Sequence, residues 1–184
     1  MNRPVLVTGA SGNVGGAVVR SLIAAGMPVR AAGTTPAALE RMFRGVDVVH
    51  LDFHTPSTFG PALRGVGGVF LLRPPRIATV GPTLNALVDV AGQMGVDHVV
   101  FSSVMGADTN RVVPHHRVET HLQASGLSWT ILRPGFFAQN LADAYRRDIV
   151  GDDRIYLPAG RGRVAFIDVR DLGDVAATVF ADPA

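Results

Sequence analysis

The chain has 184 residues, 47% of them hydrophobic and 17% charged, with no cysteine; this fits one globular unit over residues 1–184 and closes disulfides, thiolate metal sites and cysteine nucleophiles. All 17 basic residues are arginine and the net charge is only +2; scattered arginines, with Arg146 and Arg147 the densest run, form no basic stripe and argue against nucleic acid as a partner. The opening MNRPVLVTG reaches glycine too early for a signal peptide and no apolar run approaches the roughly 20 residues of a membrane helix, so a cytoplasmic protein that does not engage a membrane is expected.

Val5 to Thr8 reads as a short buried strand that runs into GASGNVG and then into a helical pattern from Val14 to Ala25. Gly9, Gly12 and Gly15 are spaced as in the βα turn of a dinucleotide-binding unit. The first glycine permits the tight turn, the second lets backbone approach a pyrophosphate, the third lets the helix pack closely, and free N–H groups at the helix start face the phosphates. Thr8 and Ser11 add hydroxyls, and Asn13 can sit at the helix start, followed by Val14. A Walker phosphate loop needs a lysine, which this chain lacks, so a dinucleotide is expected rather than a nucleoside triphosphate.

The second strand is expected at Val29 to Ala32. The cofactor-discriminating position, about 20 residues after the glycines, holds Thr34 and Thr35. No carboxylate stands there to repel a 2′-phosphate, the hydroxyls can bond one, and Arg30 is close in sequence, so NADP is favoured, with NAD the alternative. The third strand, Val46 to Leu51, ends at Asp52 and Phe53; Asp52 either accepts a bond from an adenine amino group or is a solvated turn acid, and the two readings weigh equally.

A fourth strand, Val69 to Leu72, precedes a stripe of Val80, Leu84, Leu87, Ala91 and Met94 that should pack a helix on the sheet. His98 to Ser102 forms the fifth strand. In VPHHRVETHLQASG, Pro114 suits a first helical turn and Gly126 a stop. Positions 115, 118, 119 and 122 share one face, which turns His115 inward. There it bonds a ribose hydroxyl, or donates a proton near neutrality from an ordinary pKa of about 6.5, or is simply structural; a zinc site with Glu119 and the neighbouring histidines lacks a complete ligand set. Trp129 to Leu132 forms the sixth strand, and the stretch 136–162 is an insertion of loop and helix on the substrate side. A last helix begins at Asp168, which can cap it, with Asp171 in its first turn. Strands alternating with helices predict an α/β fold, a doubly wound parallel sheet in three layers, with the C-terminal substrate-covering part short or missing.

With VTGASGNVG, VFLLRPP, HVVFSSV, VETHLQASGLSWTILRPGFFAQNL and FIDVRDLGDVAA in this order, nearly the whole chain resembles the NmrA-like branch of the atypical short-chain dehydrogenase/reductase superfamily. The resemblance implies a Rossmann fold, NAD(P) binding, and either NAD(P)H-dependent reduction, quinones included, or redox sensing without turnover. It puts Ser102, Ser103 and Val104 beside the nicotinamide ribose, and passes Leu72 and the loop Arg73, Pro74, Pro75 by the adenosine ribose and pyrophosphate. It places Pro134, Gly135 and Phe136 near the carboxamide; Phe136 and Phe137 either wall the hydride path or anchor the following helix.

The superfamily's YxxxK pair is missing: its positions fall at Arg111 and His115, and the chain has only Tyr145 and Tyr156 and no lysine. The acid that protonates a simple alkoxide is thereby removed. A quinone yields a phenolate-like oxyanion, whose conjugate acid has a pKa of about 10, near tyrosine's, and which water or His115 can protonate. The expectation is an NAD(P)H-dependent oxidoreductase for a quinone-like or otherwise activated small molecule, with His115 the catalytic candidate. The alternative is a non-catalytic NAD(P)-binding redox sensor acting through a protein partner.

Overall fold

Val5, Leu6 and Val7 are all fully buried and form β1, in the middle of a sheet whose inner strands are short and largely apolar and whose edge strands are partly exposed. The computed structural model describes residues 2–156 and 160–182. Its main sheet contains β1 (Val5–Val7), β2 (Val29–Gly33), β3 (Asp47–His50), β4 (Gly68–Leu72), β5 (His98–Ser102) and β6 (Ser128–Leu132), every pair parallel, in the order β3-β2-β1-β4-β5-β6. Val5 pairs with Val29 on one side and Gly68 on the other. The chain therefore winds outward in both directions from the β1–β4 boundary, which opens a crevice beyond the carboxyl ends of those strands.

Alternate residues of each strand serve opposite faces. Leu6, Leu71 and Phe101 pack with Leu63, Leu87 and Leu122, drawn from α3 (Phe59–Leu63), α4 (Ala86–Gln93) and α5 (Pro114–Ala124). Val7, Phe70 and Val100 pack with Val18, Leu39 and Phe180, drawn from α1 (Asn13–Ala24), α2 (Pro36–Met42) and α7 (Val169–Ala181). Three layers result. In the second layer α1 and α7 lie in close contact because residue 173 is glycine: a Cβ there would stand 2.7 Å from the Ser21 hydroxyl. Ser21 instead donates to Asp174 at 2.7 Å.

The six strands lie where the hydrophobic runs predict them, within one residue at most ends. Asp168 caps α7 as expected, accepting from the Arg170 amide at 2.8 Å. Three features depart from the sequence reading. The short helices α2 and α3 carry too few apolar positions to show a period. Val80, Leu84, Leu87 and Ala91 are buried, but Met94 is 39% exposed: it stands past the last turn of α4, and the preceding segment Gly81–Asn85 is a wide turn closed from the Asn85 amide to the Val80 carbonyl, which breaks the α period. The insertion, lastly, begins with a strand. β7 (Phe136–Phe137) pairs in parallel with β8 (Phe166–Ile167) in a separate two-stranded sheet, with α6 (Arg146–Asp152) between them. Residues 157–159 of the expected insertion lie outside the described residues.

No described helix is long and apolar enough to cross a membrane.

Candidate functional site

The turn between β1 and α1 is shaped by its glycines, each for its own reason. Gly9 has φ +63°, a left-handed conformation, and a Cβ on it would meet Leu72 at 3.1 Å. At Gly15 a Cβ would lie 2.3 Å from the Gly9 carbonyl oxygen, so only glycine lets the helix start pack against the turn. Gly12 is different. Its φ is −90° and a Cβ would find only the Gly9 oxygen, at an ordinary 3.5 Å. Nothing in the protein forbids a side chain at 12, but one would fill the cradle in front of the helix.

α1 begins without a side-chain cap. The Gly12 amide bonds back to Gly9, and the first helical bond runs from Gly16 to Gly12. The amides of Asn13, Val14 and Gly15 are thus the orphan donors of a helix N-terminus, the arrangement that accepts a diphosphate. Val14 contributes only its amide, since its side chain is buried in the core. Thr8 is likewise committed inward: its buried hydroxyl donates to the Phe70 carbonyl at 3.2 Å and accepts from the Leu72 amide at 2.9 Å. It ties β1 to β4 under the turn rather than offering a hydroxyl to a phosphate. Asn13 donates to Asp143 at 2.5 Å and links the helix start to the segment after β7.

Beyond this turn lies a cavity of about 390 Å³ at the switch point of the sheet. Gly9, Ser11 and Gly12 form one wall, Thr34, Asp52 and Phe53 a second, and Leu72, Arg73 and Pro74 a third. Asp52 lines the cavity and also holds its own turn, accepting from the His54 amide at 2.9 Å and the Thr55 hydroxyl at 3.2 Å. Arg30 is not in the cavity. Its guanidinium donates to Asp47 at 2.6 Å and to the carbonyls of Ala62 and Arg64, because Arg30 and Asp47 are register partners on β2 and β3. The cations that do line it are Arg73 and Arg76. Arg73 is spent on its own loop, donating to the carbonyls of Pro74, Pro75 and Ile77, whereas Arg76 makes no ion pair or side-chain hydrogen bond with the described residues. Sequence reasoning stopped at Pro75 and missed Arg76 one residue on.

His115 is buried as the helix period predicts, together with Val118, Glu119 and Leu122. Its Nε2 accepts from Arg73 Nε at 3.1 Å, while its buried Nδ1 has no partner among the described residues. Burial, reinforced by the Arg73 charge and opposed by Glu119, pulls its pKa down to about 4. At neutral pH it is therefore an uncharged acceptor, and the expectation that it donates a proton as an imidazolium near neutrality is corrected: an arginine points at it, and water is kept off.

Ser102 and Ser103 are both buried at the end of β5. Ser103 donates to Glu119 at 2.5 Å, and Arg133 grips the same carboxylate in two-pronged fashion at 3.0 and 2.7 Å. Burial would raise the Glu119 pKa, but the hydrogen bonds from Arg133 and Ser103 outweigh it and hold the group ionised below the usual carboxylate range. This cluster fastens the ends of β5 and β6 to α5. It was not legible from spacing, because Glu119 and Arg133 are joined only by the fold.

Val104, Pro134, Gly135 and Phe136 come together along a second, open and shallow cavity of about 320 Å³, rimmed on its far side by the exposed Arg163, Val164 and Ala165. Gly135 is required by packing, since a Cβ there would stand 2.3 Å from the Ala165 oxygen. The Phe136 ring is held edge-on to Phe166 at 5.4 Å and tilted to Tyr145 at 5.7 Å, whereas Phe137 packs against the core.

The model of the NmrA-like family matches residues 1–184. The NAD(P)H azoreductase of Xenophilus azovorans is 36% identical over 184 aligned positions, covering 97% of this chain and 64% of that protein. Among solved structures, the NADPH-dependent quinone oxidoreductase of Escherichia coli complexed with NADPH superposes with a TM-score of 0.86 at 25% identity, covering 98% of this chain and 65% of the other. The Citrobacter triphenylmethane reductase complexed with NADP(H) superposes at 0.84 and, at 24% identity, attests the fold. The chain thus spans just under two thirds of the length of the curated relatives it matches.

Proposed function

The chain belongs to the NmrA-like family, and from that membership and the two cavities we propose that it is an NADPH-dependent reductase of quinone-like or otherwise activated acceptors. The observation that carries this reading is Gly12: the backbone cradle before α1 is kept clear of a side chain that the protein itself would tolerate. The Asn13, Val14 and Gly15 amides would hold the diphosphate. Asp52 and Phe53 would flank the adenine, and Thr34 with Arg76 would meet a 2′-phosphate; Arg76 here replaces Arg30 as the cation that favours NADP over NAD. Ser102, Ser103, Val104, Pro134, Gly135 and Phe136 would border the nicotinamide end.

The bound cofactor supplies the hydride, and the protein positions it and shapes what lies opposite. Ser103, Glu119 and Arg133 fix the ends of β5 and β6, while Phe136 presents a flat apolar wall. Neither His115, neutral and bonded to Arg73, nor ionised Glu119 offers an acid to a forming alkoxide. The proton must come from water, which suits an acceptor whose reduced form is a weak base such as a phenolate. The azoreductase and quinone-reductase relatives are consistent with an acceptor of that kind.

NADPH oxidation followed at 340 nm with a panel of benzoquinones, naphthoquinones and simple ketones tests the reading. Quinone-dependent oxidation with the ketones inert is expected. Tight NADPH binding with no acceptor turned over would replace the reductase by the redox-sensing alternative.

A further inference from the structure

The second cavity has a composition that selects among acceptors, and the selection rests on the reductase reading above. Its walls are apolar, with Val104, Met105, Pro134, Val164 and Ala165 around the Phe136 ring. Among the described residues that line it, Arg163 is charged and none is acidic. Arg163 has no ion pair and no side-chain hydrogen bond among the described residues. Glu119 and Asp108 both pair with Arg133, and Asp143 accepts from Asn13, so none of these three is committed to Arg163.

A flat wall fixed by Phe166 and Tyr145 suits a planar ring. A guanidinium beside apolar walls, without a counter-charge of its own, suits an anion with two or three oxygens in its reach. We propose that this cavity takes a planar aromatic acceptor bearing an anionic substituent, a carboxylate or sulfonate, which pairs with Arg163 while the ring lies along Phe136.

The test is binding to the NADP⁺-saturated protein, with 1,4-naphthoquinone-2-sulfonate and neutral 2-methyl-1,4-naphthoquinone as probes. The sulfonate is expected to bind about fivefold or more tightly in low salt, the scale of a partly exposed ion pair. That preference should shrink as salt screens it, fall toward unity in Arg163→Gln, and be partly kept in Arg163→Lys. Equal affinities in the wild-type protein, or a preference that survives Arg163→Gln, would overturn the proposal. Because the readout is binding, its failure is separable from that of the reductase reading. A chain inert to every quinone that still prefers the sulfonate keeps the anion site and loses the reductase; one that turns over quinones without that preference does the reverse.

Discussion

At the β1–α1 turn the groups that meet a ligand are backbone amides spaced by three glycines within seven residues of chain, of which Gly9 and Gly15 answer steric demands of the fold and Gly12 keeps the cradle clear. At the ends of β5 and β6 the corresponding work is done by side chains that converge from distant segments: Ser103 from just past β5, Glu119 from α5, Arg133 from just past β6, and Arg163 from the return to β8. The first region is therefore rigid and tolerates no change in backbone shape, whereas the second can change its charges and still keep its fold. Substitutions in the two regions should separate along that line.

The largest effect is expected at Gly15→Ala. A Cβ 2.3 Å from the Gly9 oxygen must drive the helix off the turn, at a cost of about 3 kcal/mol, the upper end of the usual range for overpacked cores. Chemical denaturation measures it, and an unchanged midpoint would contradict the close approach. Next in size is the acid side of His115. Its folded pKa of about 4 lies below an unfolded value of about 6.5, so between those values the unfolded chain binds the extra proton and stability falls as pH falls. The loss amounts to as much as about 3 kcal/mol by pH 4. His115→Gln should flatten that part of the stability profile relative to the wild-type protein; a parallel profile would mean that the histidine titrates normally.

Glu119→Gln tests the second region. It removes the charge gripped by Arg133 and should cost about 2 kcal/mol, less than a fully buried pair because Arg133 is partly exposed. The NADPH affinity should hardly move, since the diphosphate cradle lies at the other end of the cleft. Gly12→Ala sharpens the contrast from the other side. Its Cβ meets only an ordinary contact, so the melting temperature should hold within about a degree while NADPH binding weakens at least about tenfold, roughly 1.4 kcal/mol. The smallest effect is expected from Arg76→Gln, a rise of about fivefold in the KM for NADPH with little change for NADH. Equal changes for both cofactors would remove Arg76 from the 2′-phosphate site.

The same contrast explains what could be read before the structure. The strands and the glycine turn were legible because their signals are local: short, mostly apolar runs, and glycines at fixed offsets from a strand end. His115 facing inward was legible from the helix period, but its charge state was not, since that depends on Arg73 arriving from the loop after β4. Arg30 misled for the same reason. Proximity in sequence to Thr34 said nothing of the parallel pairing that delivers Asp47 to its side. The strands β7 and β8 were hidden because two residues each carry no period, and their partnership spans a gap of about thirty positions.

In the proposed complex the backbone amides at the start of α1 hold the diphosphate. Backbone amide shifts of ¹⁵N-labelled protein during NADPH titration test this directly, and a chain of 19.4 kDa suits the measurement. The largest displacements are predicted at Asn13, Val14 and Gly15. Saturation with NADPH that leaves those three amides in place, while others elsewhere on the sheet shift, would contradict it.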